Sequence, residues 1–400
     1  MLQSSTEMTV PCGRKVAALD GVRGLAIILV LLHHFQRYIA SSNVGLRATK
    51  ALFEYGWVGV DLFFALSGFL ITGILLDTRK SQNYFSAFYA RRVLRIFPLY
   101  YIALLAVFAA VAVIKPTPTA IPLAADRKLY FIYLTNWLVL WKGQWGPNVI
   151  GHFWSLAVEE QFYLVWPLCV WALVSRNVAR VAVGFSIVAL LVRVYWLMRT
   201  GPSQAIVMAT VTRMDSLLCG AFAAVLFRNQ VVLRRLRRFL PTVSLVAILM
   251  FSAGIASFAS NPAARDTFAE SAGFSLLAIG FSALVLYAAA TEGSSVLTQR
   301  VFSSRVLTDF GKYSYGIYVY HIPVLGACEI LLYRHLPLSL VGDSRFGVLY
   351  FVFLIAASFV VAKVSYECLE RHFLALKRYF EPMCARRTEA SVNAVAALGD

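Results

Sequence analysis

Residues 19–35 read LDGVRGLAIILVLLHHF. The stretch is apolar enough to enter a bilayer, yet it carries Asp20, Arg23, His33 and His34. An ionisable group at membrane depth is costly and marks a candidate functional site. On an α-helix each residue turns the chain by roughly 100° and climbs about 1.5 Å. Arg23 and His34 are eleven positions apart, so they lie within about 20° of one face and about 16 Å apart along the axis. His33 points to the side. The first helix thus offers a polar stripe, with a cation at one level and an imidazole about half a bilayer away.

The rest of the chain reads as a scaffold around that stripe. Of 400 residues, 60% are hydrophobic and 14% charged, where a soluble domain is nearer about a quarter charged. Apolar runs near 17–39, 57–77, 93–114, 153–174, 181–198, 205–227, 238–258, 272–290, 313–334 and 346–369 predict an all-α, polytopic transmembrane helical bundle. Residues 129–141 are apolar too, but about 13 residues fall short of a routine span. Loop charge arbitrates between ten spans and eleven. Arg79, Lys80, Arg91 and Arg92 follow the second span, Arg228, Arg234, Arg235, Arg237 and Arg238 the sixth, and Lys377, Arg378, Arg386 and Arg387 the last. Basic loops stay cytoplasmic, and ten spans put all three clusters inside together with both termini. Residues 129–141 then form a re-entrant or interfacial segment on the outer face, a tilted short helix being the alternative. The net charge of +17 sits mostly in these loops, where it meets anionic lipid rather than nucleic acid. The six cysteines are scattered without a CxxC pair, so neither a zinc site nor a disulfide framework is indicated and no metal is expected. No small-residue cleavage site follows the first apolar run, so the first helix is read as retained, not as a removed signal peptide.

Polar positions recur inside the later apolar runs. Asp61 lies near the outer end of GVDLFFALSGFLITG, whose glycines and Ser67 permit close approach of a helix or a ligand chain. RRVLRIFPLYY opens the third span, and Arg91, Arg92 and Arg95 share one side of a helix turn. That cluster fits phosphate, either of a lipid anchor or of a ligand. In HFWSLAVEEQFYLVWP the adjacent Glu159 and Glu160 lie deeper than a first helical turn, at a level comparable with His34. A carboxylate beside an imidazole fixes its tautomer and supports a general base. RMDSLLCG reads as a charge-compensated pair of Arg213 with Asp215. In YSYGIYVYHIPV, Ser314, Tyr318 and His321 share a face, so His321 is either a tyrosine-bonded core histidine or lines a cavity. Trp137, Trp141, Trp145 and Trp154 suit either an interfacial aromatic belt or sugar stacking.

Together these six stretches resemble the successive motifs of the acyltransferase-3 family of integral-membrane acyltransferases, over about residues 19–370. The resemblance implies transfer of an acyl group, often acetyl from cytoplasmic acetyl-CoA, to a hydroxyl of an exported glycan, a lipid-linked sugar or another acceptor. It implies a multi-pass protein of the bacterial inner membrane, in which acyl-CoA is a donor substrate and no cofactor is permanently bound. The family's arginine-to-histidine motif, with ten intervening residues, selects Arg23 and His34. Its acyl-CoA motifs correspond to Ser67 and Gly68 with the two residues that follow, and to Arg92 with Arg95. His34 is then the expected general base, or a transiently acylated nucleophile, with Glu160, Glu159 or Asp61 orienting it. Arg23, Ser67, Gly68, Arg91, Arg92, Arg95 and His321 fall to the donor side. Residues 17–370 would form the acyltransferase domain, between a cytoplasmic segment 1–16 and a basic, partly disordered tail 371–400. Some members carry a soluble esterase-like domain; none is read here, which leaves room for a separate periplasmic partner. The competing reading is a multi-helix transporter or flippase, weakened by the lack of a visible inverted repeat.

Overall fold

Long apolar runs fold as helices, because in a bilayer every backbone N–H and C=O must be satisfied within the segment. The computed structural model describes residues 16–39, 43–113, 127–142, 149–331, 335 and 343–383. Among the described residues there are helices and no strands. The long helices are α1 Ala17–Phe35, α2 Val58–Thr78, α3 Tyr84–Val113, α4 Trp154–Ala172 and α5 Ser175–Thr200. They continue with α6 Thr210–Arg228, α7 Leu240–Ser257, α8 Phe274–Ala290, α9 Arg305–Leu331 and α10 Ser344–Ser365. Among the described residues, eight helical stretches are long and apolar enough to cross a membrane, and they contain all of these helices except α4 and α9. Those two have 19 and 27 residues and carry the polar motifs around Glu159 and His321, which lower their hydropathy.

α2 is apolar on all sides and lies at the centre, packed against α1, α4, α6 and α8. α1 lies between α2 and α9. The outer helices turn large apolar side chains outward: Leu191, Tyr195 and Met198 on α5, Leu245 and Leu249 on α7, Leu349 and Val352 on α10. Lipid is the medium that matches such a belt, and the chain is a multi-pass membrane protein.

Glycine decides how closely α1 meets α9. A Cβ on Gly24 would stand 1.9 Å from the Leu307 carbonyl oxygen, and one on Gly311 1.8 Å from that of Asp20. Both obstacles are backbone, which cannot swing aside. Gly311→Val is therefore expected to lower stability by about 3 kcal/mol or more. Gly184→Ala, with nothing within 4 Å inside a helix, should not lower it and should raise it by up to about 1 kcal/mol. Thermal unfolding of the two purified variants checks this.

Residues 129–141 do not form one helix. They divide into Arg127–Phe131 and Thr135–Lys142, with Tyr133 between them at φ 54°. Neither piece is long enough to cross a bilayer. Tyr100 and Tyr101 of α3 donate to the carbonyls of Tyr130 and Phe131 at 2.7 and 2.9 Å and hold the break in place. At the other end of the chain Asp343 caps α10, accepting from the N–H groups of Arg345 and Phe346, and these bonds hold its carboxyl below the usual range. At the start of the tail expected to be partly disordered, Arg371–Ala375 and Leu376–Phe380 are helical and pack on α3. Most of the expected N-terminal segment (1–15) and the rest of the tail (384–400) lie outside the described residues.

Candidate active site

A cavity of about 640 Å³ opens between α1, α2, α3, α4 and α9. Basic side chains enter it from several elements. α3 begins at Tyr84, well before the apolar run expected near 93, so Arg91, Arg92 and Arg95 stand on a formed helix and reach the cavity together. Arg23 arrives from α1 and pairs with Asp20 at 2.8 Å. The Arg92 guanidinium lies over the rings of Phe88 and Tyr163, 5.8 and 5.7 Å from their centroids. Lys377, from the segment after α10, lines the same space.

Carboxylates line it as well. Glu159 accepts from the Ser67 hydroxyl at 3.0 Å and from the Tyr163 hydroxyl at 2.8 Å, and these two hydroxyls are 2.9 Å apart. Glu160 lines the same cavity. Gly68 faces α6, not the cavity, since a Cβ there would stand 1.8 Å from the Leu217 carbonyl oxygen. The structure thus brings Arg23, Ser67, Arg91, Arg92, Arg95, Glu159 and Glu160 to one cavity and leaves Gly68 as a packing contact behind it.

Ser155 and Tyr318 form part of the cavity wall, their hydroxyls 2.5 Å apart, and Tyr318 also donates to the His152 carbonyl at 3.0 Å. Tyr318 is in ring contact with His152 and His321, at 5.4 and 5.6 Å between centroids. His321 in turn meets His34 at 4.8 Å and His152 at 4.7 Å. His321, expected among the donor-side residues, stands beside His34 instead. His34 is half-buried, with its Nδ1 2.9 Å from the Val30 carbonyl. A carbonyl only accepts, so Nδ1 carries the proton and the lone pair of the neutral ring sits on Nε2. His321 is fixed in the same way, through Nδ1 to the Tyr318 carbonyl at 2.7 Å. Among the described residues no group of His, Cys, Asp and Glu is placed to hold a metal ion.

The carboxylates expected beside His34 stand elsewhere. Glu159 is engaged by Ser67 and Tyr163, and Asp61 is buried against Arg213 at 2.8 Å, accepting also from Ser216 at 3.1 Å. These partners hold the two carboxylates in place, and the Val30 carbonyl, one turn below in the same helix, sets the His34 tautomer. Arg213 and Asp215 do not pair with each other: Asp215 takes Arg193 at 2.7 Å, and the Arg213 guanidinium lies 3.7 Å from the centroid of Phe274. Of the outer tryptophans, Trp137 bonds Gln161 at 3.2 Å, Trp154 is buried and Trp141 is exposed; Trp145 lies outside the described residues. Sequence reasoning missed Tyr163, although it lies one turn after Glu159, and Lys377, for which local spacing carries no signal.

Comparison with known proteins fits this layout. A family model described as "Acyltransferase domain", that of the acyltransferase-3 family, matches residues 16–366. The chain is similar to the peptidoglycan O-acetyltransferase OatA of Listeria monocytogenes, 27% identical over 376 residues, which cover 89% of this chain and 55% of that protein. It is similar also to the O-acetyltransferase OatA of Staphylococcus aureus, 25% identical over 369 residues, covering 89% of this chain and 57% of that one. The chain thus spans just over half the length of these curated relatives. No solved structure matches it. With arginines, carboxylates and histidines disposed as above and the family match running over nearly all of the helical bundle, the chain carries an acyltransferase domain and belongs to the acyltransferase-3 family.

Proposed function

We propose that the chain is a membrane O-acetyltransferase of the bacterial inner membrane. It moves an acetyl group from cytoplasmic acetyl-CoA to a hydroxyl of an envelope glycan or a similar acceptor. One observation carries the reading: a cavity rich in arginine is walled in part by Tyr318, whose ring meets His321, and His321 in turn meets His34. The relatives named O-acetyltransferases, one of them acting on peptidoglycan by its name, support the choice of acetyl and of a glycan hydroxyl. The proposed topology has ten crossings and both termini in the cytoplasm, since the basic loops then share one side.

The donor's phosphates bind Arg91, Arg92 and Arg95, whose planar forks each bond two oxygens. The pantetheine arm runs past Ser67 and Glu159, and the thioester reaches the Ser155–Tyr318 pair, which parts to admit it. His34 Nε2 takes the proton of the acceptor hydroxyl as its oxygen attacks the thioester carbonyl. The carbon–sulfur bond breaks, CoA leaves as thiolate, and the proton held by His34 returns to it through solvent. Glu159 and Glu160 balance the charge of Arg23 and Arg92 along the donor's path. Arg23, on the same helix as His34 but about 16 Å below it, acts on the donor and not on the base.

Membranes containing the protein and supplied with acetyl-CoA are expected to release free CoA in proportion to added acceptor. CoA release that ignores the acceptor would mean transfer of the acetyl group to water, as in a thioesterase, and solute movement without any release would point to a transporter or flippase. Arg92→Ala combined with Arg95→Ala is expected to raise the donor KM by about a hundredfold, roughly tenfold per lost charged hydrogen bond, and to leave the acceptor KM unchanged. A shift in acceptor KM instead would remove the phosphate assignment.

A further inference from the structure

Beyond α10 the chain stays helical through Arg371–Ala375 and Leu376–Phe380, and this extension packs on α3 as a strap. Its last described stretch is clamped by one side chain. Asn83, just before α3, donates through Nδ2 to the Glu381 carbonyl at 2.9 Å and accepts through Oδ1 from the Met383 N–H at 2.7 Å. Both bonds go to main chain, so they fix the path of the strap whatever its side chains are. Along that path Lys377 is half-buried and lines the large cavity, while its neighbour Arg378 is exposed and bonds only the adjacent Tyr379 hydroxyl, at 2.9 Å.

Lys377 shares that cavity with the cations Arg91, Arg92 and Arg95 and with the carboxylates Glu159, Glu160 and Glu381. None of these four cations forms a salt bridge among the described residues. Glu159 and Glu160 offset part of the charge near Arg92, but four cations without a salt bridge in a partly desolvated cavity still favour an added anion. Three of them sit on one helix turn and are forced together by its geometry, but Lys377 is brought in by a separate element that Asn83 holds down.

We propose that this C-terminal strap completes the donor site, with Lys377 binding the phosphates of the nucleotide thioester opposite the α3 arginines and Asn83 locking the strap over them. The proposal rests on the reading of acyl-CoA as donor. The ligand chemistry is a phosphate, which a nucleotide or a lipid headgroup could supply, so the test separates the two.

The experiment is equilibrium binding of CoA, and of pantetheine as a phosphate-free probe, to the full chain in nanodiscs of zwitterionic lipid and of lipid containing phosphatidylglycerol. Lys377→Ala is expected to weaken CoA binding about tenfold, and Lys377→Arg to restore it to within about threefold, since one charged hydrogen bond is at stake. Arg378→Ala leaves affinity unchanged, and Asn83→Ala speeds CoA dissociation. Pantetheine binding is the same for wild type and Lys377→Ala. Thermal midpoints measured without ligand guard against misfolding, and Lys377→Arg provides a second check on it. CoA binding by the wild type with no loss in Lys377→Ala overturns the strap proposal alone. No CoA binding by the wild type overturns the donor reading, and the strap proposal with it. A Lys377→Ala defect confined to discs with phosphatidylglycerol, with CoA affinity unaltered in zwitterionic discs, assigns the lysine to lipid and likewise overturns the proposal.

Discussion

His34→Ala lowers acyl transfer by about 10²–10⁴-fold, the range expected for loss of a positioned general base. The variant should express, fold and bind CoA as the wild type does, because His34 is not among the residues that line the arginine-rich cavity. The effect should be specific to this histidine. His33, its neighbour in sequence, turns away and bonds the Glu54 carbonyl at 2.6 Å, so His33→Ala keeps most of the activity. The prediction follows from the ring's setting. With Nδ1 donating to Val30, Nε2 is left as the basic atom, and the half-exposed ring can meet an acceptor. Turnover with labelled acetyl-CoA, measured beside CoA binding on the same preparations, separates a lost base from a lost donor site. Near-normal transfer by His34→Ala would sink the mechanism.

Helices α2 and α4 lie within a few residues of the apolar runs at 57–77 and 153–174. The run at 93–114 placed the start of α3 too late, because a hydropathy window sees Arg91 and Arg92 as loop. A helix tolerates them when they face a cavity. The arginines, Ser67 and the two glutamates were all legible as candidates, since a polar group inside an apolar run stands out. Their partners were not. His34 is oriented by a backbone carbonyl, which leaves no mark in sequence because every helical residue has one. The Asp61–Arg213 pair joins positions from different helices, while the nearer Arg213 and Asp215 offered a false pair at short range. Lys377 looked like one more basic residue in a tail, and only its tertiary placement distinguishes it from Arg378.

The false pair bears on the second large effect. Arg213 and Asp61 are both buried, bonded at 2.8 Å, and removing one partner leaves the other charge unpaired in an apolar setting. Arg213→Met is therefore expected to cost about 3–5 kcal/mol and to abolish accumulation of folded protein in membranes. The added change Asp61→Asn removes the remaining charge while keeping an acceptor for the Ser216 hydroxyl. The new methionine lies among Phe64, Trp154 and Phe274, whose rings now surround the guanidinium. The double variant should recover most of the lost stability, because a buried ion pair replaced on both sides is often close to neutral. That recovery makes Asp61 testable apart from folding. If its carboxylate serves only to hold α2 against α6, the refolded double variant transfers acyl groups at close to the wild-type rate. If Asp61 acts on the base, stability returns without activity. The geometry favours the first outcome, since the hydrogen bonds to the Asp61 carboxylate come from α6 while His34 takes its orientation from Val30.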